Sequence, residues 1–308
     1  MMAVASPRPV RPAASALVHL YLALLLVSAA TNASAERPCS DVLTKDELKH
    51  TVAAVAAAKL KSAPYPHVFV PKIFSDDVYR CILRKLPANE KPYARKNDGT
   101  SKAVTNRLRR YIITLNTYAP KGKAGSPGAA KKSAADQTNS YDNKWWDKFA
   151  KLFTESDELR NAWLGKFGST LKHRHPNFRR KYQFYTRLDL TRDYGGYAIG
   201  PHSDNSDKWI TMLYYLPKTD SKLKVGTCVL ENLLRRRVSS QSDVASWNKR
   251  HWKTHFQAPF VRNAVFAFAP CDASWHAVPK TPEGFRRDTL QSFIQAKVGN
   301  APKGRCGR

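Results

Sequence analysis

Hydrophobic and polar residues alternate along much of the second half of the chain. The alternation is clearest in residues 182–190, and residues 210–216 and 262–268 are also strand-like. A period of two is typical of β-strands that bury one face. Gly195 and Gly196 follow the first of these segments and indicate a turn. The pattern therefore predicts a mainly β core in this half.

The first half of the chain is predicted to be largely helical. A helical segment is expected over residues 36–63, which are rich in alanine, with Ser40 as the N-cap. Residues 67–70 favour a short strand. A second helix is expected from Ser75, its N-cap, through Leu86, because apolar residues recur on one face.

The middle of the chain combines a strand, an insertion and a helix. Residues 111–115 are apolar enough to predict a strand, whereas residues 120–138 are rich in Gly, Ala, Lys and Ser and predict a flexible insertion. Residues 143–171 carry an aromatic stripe at helical spacing. We expect one helix there, packed against the sheet.

The N-terminus resembles a targeting sequence. Arg8 and Arg11 precede an apolar run over residues 20–27, and Ala33-Ser34-Ala35 has the small-x-small pattern of a cleavage site. Residues 1–35 are therefore predicted to be a signal peptide that directs the protein to the ER or Golgi lumen or to secretion. The alternative is a retained signal anchor, which makes a type II membrane protein with the remaining chain in the lumen.

Composition limits the partners that we expect. The chain of 308 residues has a formal net charge of +28, which attracts acidic or anionic partners, although a solvated basic surface explains it equally well. A hydrophobic content of 42% excludes disorder throughout the chain. Because the predicted signal leads to the secretory pathway, nucleic acid is not an expected partner. A membrane is an expected partner only if the N-terminal segment is retained.

Cysteine usage suits an oxidising compartment. An odd number leaves at least one thiol without a disulfide partner. We hypothesise that the two outermost cysteines join the ends of the chain, and the spacing does not decide the other pairings. The five cysteines are Cys39, Cys81, Cys228, Cys271 and Cys306.

One motif carries most of the chemical information. His202 and Asp204 are separated by one residue, and His276 follows 72 residues later. Two imidazoles and one carboxylate form the facial triad that holds ferrous iron in non-heme oxygenases. Arg286 and Arg287 follow the second histidine, where a dicarboxylate co-substrate would need a cation.

Four segments together resemble the iron(II)- and 2-oxoglutarate-dependent dioxygenases, most closely the prolyl-hydroxylase-like branch. They are residues 200–204, 210–217, 262–268 and 275–278. The resemblance implies a double-stranded β-helix, or jelly-roll, core supported by N-terminal helices. It places the dioxygenase domain at residues 64–300.

The resemblance also implies cofactors and metal ligands. His202, Asp204 and His276 would bind Fe(II), with 2-oxoglutarate as co-substrate and O2 as oxidant, and ascorbate is compatible with such a site. No catalytic side chain is implied beyond these three ligands.

The co-substrate residues follow from the same resemblance. Arg287 would bind the distal carboxylate of 2-oxoglutarate, with Thr289 and Tyr215 as nearby hydroxyl groups. Residues two apart on a strand share a face, so Arg287 and Thr289 match the family's Arg-x-Ser/Thr pattern. Arg286 remains the alternative anchor if the strand register differs by one residue.

The expected activity is hydroxylation of a protein or peptide side chain in the secretory pathway. The alternative is an inactive basic domain on the same scaffold that binds polyanions. A basic insertion over residues 235–255 is expected near the mouth of the active site, and residues 301–308 form a basic tail. Intact metal ligands favour the enzyme.

Overall fold

The computed structural model describes residues 36–95, 109–118, 143–234 and 250–296, together with Gly304 and Cys306. Six helices lie in these residues: α1 (Lys45–Ala57), α2 (Asp76–Lys85), α3 (Asn143–Thr154), α4 (Asp157–Lys166), α5 (Gly168–Arg174) and α6 (Phe178–Lys181). Eleven strands lie there as well: β1 (His67–Val70), β2 (Ala94–Arg95), β3 (Arg110–Tyr118), β4 (Tyr185–Tyr194), β5 (Ile199–His202), β6 (Lys208–Tyr215), β7 (Cys228–Asn232), β8 (Trp252–Gln257), β9 (Ala264–Phe268), β10 (His276–Val278) and β11 (Arg286–Gln295). No helix among the described residues is both long and apolar enough to cross a membrane.

The strands form two antiparallel sheets. The larger sheet has the order β1-β9-β6-β11-β4-β3-β2, and the smaller has the order β5-β10-β7-β8. From β4 onward the chain passes back and forth between them, with β4, β6, β9 and β11 in the larger sheet and the other four strands in the smaller. Two facing sheets connected in this way form a jelly roll. The predicted mainly β, jelly-roll core is confirmed.

The two faces of the larger sheet are covered by different parts of the molecule. In β6, Met212 and Tyr214 belong to the hydrophobic cluster shared with the helices, whereas Leu213 and Tyr215 belong to the cluster between the sheets. Successive side chains of a strand point to opposite faces, which produces this division. Residues on the inner face therefore line the space where the predicted site lies.

Three helices in succession replace the one predicted over residues 143–171, so that prediction is wrong. Ser156 causes the break, because its hydroxyl accepts a hydrogen bond from the backbone N–H of Leu159 at 3.3 Å and caps α4. The aromatic stripe itself is buried as expected. The rings of Phe149 and Phe153, for example, lie 4.7 Å apart within the core.

Helix α1 is shorter than the sequence pattern suggested. It begins after Thr44 rather than after Ser40, because the Thr44 hydroxyl accepts a hydrogen bond from the N–H of Glu47 at 3.4 Å. A threonine followed three residues later by a glutamate is typical of a helix start. Strand β1 and helix α2, with Ser75 as its N-cap, agree with the prediction.

The disulfides connect neighbouring segments rather than the two ends of the chain. Cys39 pairs with Cys81, and Cys271 pairs with Cys306. The hypothesis of a Cys39–Cys306 bond is therefore wrong, because each of these cysteines packs beside a different partner. Cys228 is a buried free thiol.

Several predicted segments lie outside the described residues: 1–35, 120–138, 235–249 and most of 301–308. The basic insertion predicted over 235–255 is described only from residue 250 onward. Strand β8 begins there at Trp252 and pairs with β7.

Candidate metal centre

Two histidines face each other on paired strands of the smaller sheet. His202 ends β5 and His276 begins β10, and they are directly opposite in the register. Their ring centroids lie 4.1 Å apart. The preceding turn passes close to the loop before β11, since a Cβ atom at Gly195 would lie 2.6 Å from the carbonyl oxygen of Pro282. A glycine is therefore needed for the turn that leads into β5.

Asp204 supplies the carboxylate of the cluster from the loop before β6. It accepts a hydrogen bond from the Thr211 hydroxyl at 2.6 Å and another from the Lys208 ammonium at 2.6 Å. These two donors hold the carboxylate in place. Ligand atoms of His202, Asp204 and His276 all lie within 4.8 Å of one another, close enough to converge on one ion.

Backbone carbonyl groups orient both imidazole rings. Nδ1 of His202 lies 2.9 Å from the carbonyl oxygen of Gly200, and Nδ1 of His276 lies 3.1 Å from that of Ser274. A nitrogen that faces a carbonyl must carry the proton, so Nε2 presents the lone pair in each neutral ring. Such contacts are how proteins fix the tautomer of a metal-binding histidine.

The electrostatics of the cluster favour the protonation states that bind metal. Burial and, to a lesser extent, the proximity of His276 lower the pKa of His202 to about 3. The charge of Asp204 acts in the opposite direction and raises this pKa. Burial alone would raise the pKa of Asp204, but Lys208 and the two histidines bring it below its usual range. At neutral pH the structure therefore holds a neutral imidazole beside an ionised carboxylate.

Aromatic rings enclose the cluster on the side of the larger sheet. The ring centroid of Phe268 lies 4.6 Å from that of His276 and 5.8 Å from that of Tyr65. Tyr65 is fully buried, and its hydroxyl bonds to no described residue. These rings keep bulk water away from one side of the site.

Arg287 and Arg286 point to opposite faces of β11. Arg287 is 1% exposed, and it donates from Nε to the carbonyl oxygen of Val225 at 3.1 Å and from Nη1 to Asp193 at 2.9 Å. A guanidinium has five N–H groups, so three donate to no described residue. The side chain of Arg286 is 36% exposed and pairs with Asp288 at 3.0 Å.

A buried ion cluster surrounds Asp193, beside Arg287. Arg110 donates hydrogen bonds to this carboxylate from Nε at 2.6 Å and from Nη2 at 2.9 Å, and Arg287 donates to its Oδ2 atom. Asp193 is fully buried. Two guanidinium groups share one carboxylate here, so the cluster carries a surplus positive charge that suits an incoming carboxylate.

The two predicted hydroxyl groups have different surroundings. Thr289 lies opposite Tyr215 in the register of β11 and β6, and both are fully buried. The Tyr215 hydroxyl lies 3.1 Å from both the hydroxyl and the N–H of Thr227, whereas the hydroxyls of Thr289 and its neighbour Thr191 bond to no described residue. A buried hydroxyl that bonds to no described residue is suited to hydrogen bonding with a polar ligand.

Comparison with known proteins finds similarity among solved structures. No family model and no curated protein match the chain. An oxidoreductase of the 2OG-Fe(II) oxygenase family from Burkholderia pseudomallei is 13% identical, with 88% of this chain and 96% of its own covered, at a TM-score of 0.41. A prolyl-4-hydroxylase from Pseudomonas putida is 14% identical, with 80% and 99% covered, at a TM-score of 0.42.

A prolyl hydroxylase from Trichoplax adhaerens also matches, and its structure contains a peptide fragment of a hypoxia inducible factor. It is 11% identical, with 82% of this chain and 93% of its own covered, at a TM-score of 0.47. The likeness to all three structures is distant. The function is therefore inferred from the geometry of the site itself.

Several polar residues around the site were not predicted from the sequence. Thr211 had a signal, since it shares the inner face of β6 with Leu213 and Tyr215 and is the polar member of that alternation. The others had no local signal, because their partners lie far along the chain or depend on the folded loop. They are Lys208, Asp193, Arg110 and Thr227.

Proposed function

We propose that this protein is an Fe(II)- and 2-oxoglutarate-dependent dioxygenase. The observation that supports this is the buried convergence of His202, Asp204 and His276, with ligand atoms within 4.8 Å. Two imidazoles and one carboxylate leave the opposite face of an octahedral ion open, as non-heme iron oxygenases require. The donor set fits iron, and Arg287 with the unpartnered hydroxyl of Thr289 fits a dicarboxylate.

His202, Asp204 and His276 would hold Fe(II), which together with 2-oxoglutarate and O2 would supply hydroxylation of a substrate C–H group, with succinate and CO2 as the products of the co-substrate. The protein's own residues provide geometry and exclude water. Thr211 and Lys208 hold the carboxylate of Asp204 in position. Arg287 binds the distal carboxylate of the co-substrate, and Phe268 shields His276 from bulk water.

The substrate we propose is a side chain of a protein or peptide in the secretory pathway. Two features of the sequence support this. The segments around the metal ligands resemble the prolyl-hydroxylase-like branch, and residues 1–35 have the pattern of a signal peptide. The alternative location is the lumenal side of a membrane, on a retained anchor.

Anaerobic titration of the metal-free protein with Fe(II) and 2-oxoglutarate tests the proposal. We expect one equivalent of Fe(II) to bind, and a visible charge-transfer absorbance to develop only when both components are present. His276→Ala should abolish this absorbance. His173→Ala is the matched control, because His173 is exposed at the end of α5 and should leave the titration unchanged.

Two results would contradict the proposal. One is an absorbance that develops equally in His276→Ala. The other is a wild-type protein that binds no Fe(II) but binds polyanions, which would favour the inactive basic domain instead.

A further inference from the structure

A basic cleft lies on the outer, helical side of the larger sheet. Its volume is about 610 Å³, and nine residues line it. Five of them are cationic and none is acidic. The cations come from α2, from the loop after β6, from the loop before β9 and from the start of β11: Arg80, Arg84, Lys218, Arg262 and Arg286.

The segments that form the basic cleft are fixed by buried contacts. The Tyr79 hydroxyl donates to the carbonyl oxygen of Pro217 at 2.7 Å, which ties α2 to the loop that carries Lys218. Asn263 exchanges two side-chain hydrogen bonds with the backbone of Phe74, at 2.7 and 3.0 Å. The arginine before Asn263 is therefore held near the start of α2. A stable framework brings these cations together.

Nearby carboxylates neutralise only part of this charge. Asp77 pairs with Arg80 at 2.7 Å, and Asp288 pairs with Arg286 at 3.0 Å. Asp288 also neutralises the buried Arg192 at 2.7 Å, so its charge is shared. A third carboxylate in this region, Asp220, accepts a hydrogen bond from the backbone N–H of Arg262. Neither Lys218 nor Arg262 forms an ion pair with a described carboxylate, so the cleft keeps positive charge at these two side chains.

We propose that the basic cleft binds a ligand that carries two or more phosphate groups. Guanidinium forks match phosphate oxygens, and a phosphate brings up to two negative charges per group to a site with five cations. The volume lies within the range of small-ligand sites. The ligand is either a free polyphosphate or a phosphorylated peptide segment.

The basic cleft is separate from the metal centre and does not depend on the proposed function. Arg286 and Arg287 point to opposite faces of β11. Thr211, beside Asp204, lies within β6, whereas Lys218, beside the cleft, lies in the loop that follows this strand. Changes in the cleft should therefore leave metal binding intact.

Calorimetric titration of the full chain with tripolyphosphate tests this proposal. We expect saturable binding with a stoichiometry of one, which weakens as NaCl is added. The double variant Arg84→Glu/Lys218→Glu should bind about 30-fold more weakly, because two exposed attractions become repulsions. The control Lys172→Glu/Arg180→Glu makes the same change in net charge at exposed positions of α5 and α6 and should alter the affinity about threefold at most.

Two peptides of equal charge extend the test, one doubly phosphorylated and one with glutamates instead. Tighter binding of the phosphopeptide than of tripolyphosphate identifies a protein ligand, and the reverse identifies a free polyphosphate. Equal affinity for the two peptides would overturn the preference for phosphate. Equal losses of affinity for tripolyphosphate in the two double variants would overturn the assignment of the ligand to the basic cleft. The absence of saturable binding by the wild type would overturn it as well. If the glutamate variant does not fold, Arg84→Gln/Lys218→Gln replaces it, with an expected loss of about fivefold.

Discussion

At the scale of single residues, the two adjacent arginines of β11 show how strand geometry assigns chemistry. Arg287 is buried beside Asp193 and Tyr215, whereas Arg286 lies in the basic cleft on the other face. Neither charge nor spacing from His276 distinguishes them. Their opposite orientation follows from the period of two.

Arg287→Ala should raise the KM for 2-oxoglutarate strongly. Loss of a buried charge-assisted pair costs about 2–5 kcal/mol, or roughly 30-fold to several thousand-fold. Arg287→Lys should recover part of the loss, because the charge remains without the fork. Arg286→Ala is the control, and its KM should change no more than a few-fold. A large rise of this KM in Arg286→Ala, with little change in Arg287→Ala, would contradict the assignment of Arg287 as the residue that binds the distal carboxylate.

The metal-free protein should lose stability as the pH falls below about 6.5, the value for an unfolded histidine. Burial lowers the pKa of His67, against its hydrogen bond to Tyr65, and lowers that of His202 to about 3. Each imidazole therefore binds a proton less readily in the folded than in the unfolded protein, and stability is lost as the pH falls from about 6.5 towards the lowered folded pKa. The free energy of unfolding should fall by up to about 1.4 kcal/mol per pH unit for each group.

Chemical denaturation between about pH 7 and pH 4 measures this dependence. His67→Phe keeps an aromatic ring beside Phe256 and Phe266 and should make the pH dependence shallower. An identical slope in wild type and variant would show that His67 is not the group responsible.

At the scale of secondary structure elements, Asp193 joins three neighbouring strands. It lies on β4, Arg110 lies on β3, and Arg287 lies on β11. Asp193→Ala would leave two buried guanidinium groups without their carboxylate. Breaking a buried pair in this way should lower the free energy of unfolding by about 3–5 kcal/mol in urea denaturation.

The exposed pair of Arg109 and Glu283 provides the matched control. Their separation is 3.1 Å, but the side chains are 37% and 72% exposed. Glu283→Ala should therefore cost about 1 kcal/mol or less. Equal losses for Asp193→Ala and Glu283→Ala would contradict the view that the buried cluster stabilises these strands.

Cysteine labelling tests the arrangement of elements around β7. Burial raises the pKa of Cys228 to about 12, so its thiol should resist alkylation in the folded protein. Mass spectrometry should find one label after unfolding without reductant and five after reduction. Peptide mapping should recover Cys39 with Cys81 and Cys271 with Cys306. Rapid labelling of the folded protein would contradict this arrangement.

Local signals predicted the elements better than their ends or long-range partners. The alternation in β6 and the cap at Ser75 are local features, and both were recognised from the sequence. Ser156, followed by two acidic residues, was a local signal for a new helix that the aromatic stripe obscured. The pairing of Arg110 with Asp193 spans 83 residues and depends on sheet register, which no local pattern reveals.

In the molecule as a whole, the jelly roll places the metal centre and the basic cleft on opposite faces of the larger sheet. The space between the sheets holds the cluster of His202, Asp204 and His276 and the guanidinium of Arg287. The outer face of the larger sheet carries the basic cleft. A net charge of +28 indicated anionic partners, but only the fold shows where the cations gather.

Together, His202, Asp204 and His276 should support oxidation that depends on 2-oxoglutarate. The most direct measurement is O2-dependent conversion of 2-oxoglutarate into succinate by the Fe(II)-loaded protein. Wild type and His173→Ala should form succinate, whereas His202→Ala, Asp204→Ala and His276→Ala should form none above background. Wild-type rates of succinate formation in any of these three variants would show that the substituted residue is not a required metal ligand.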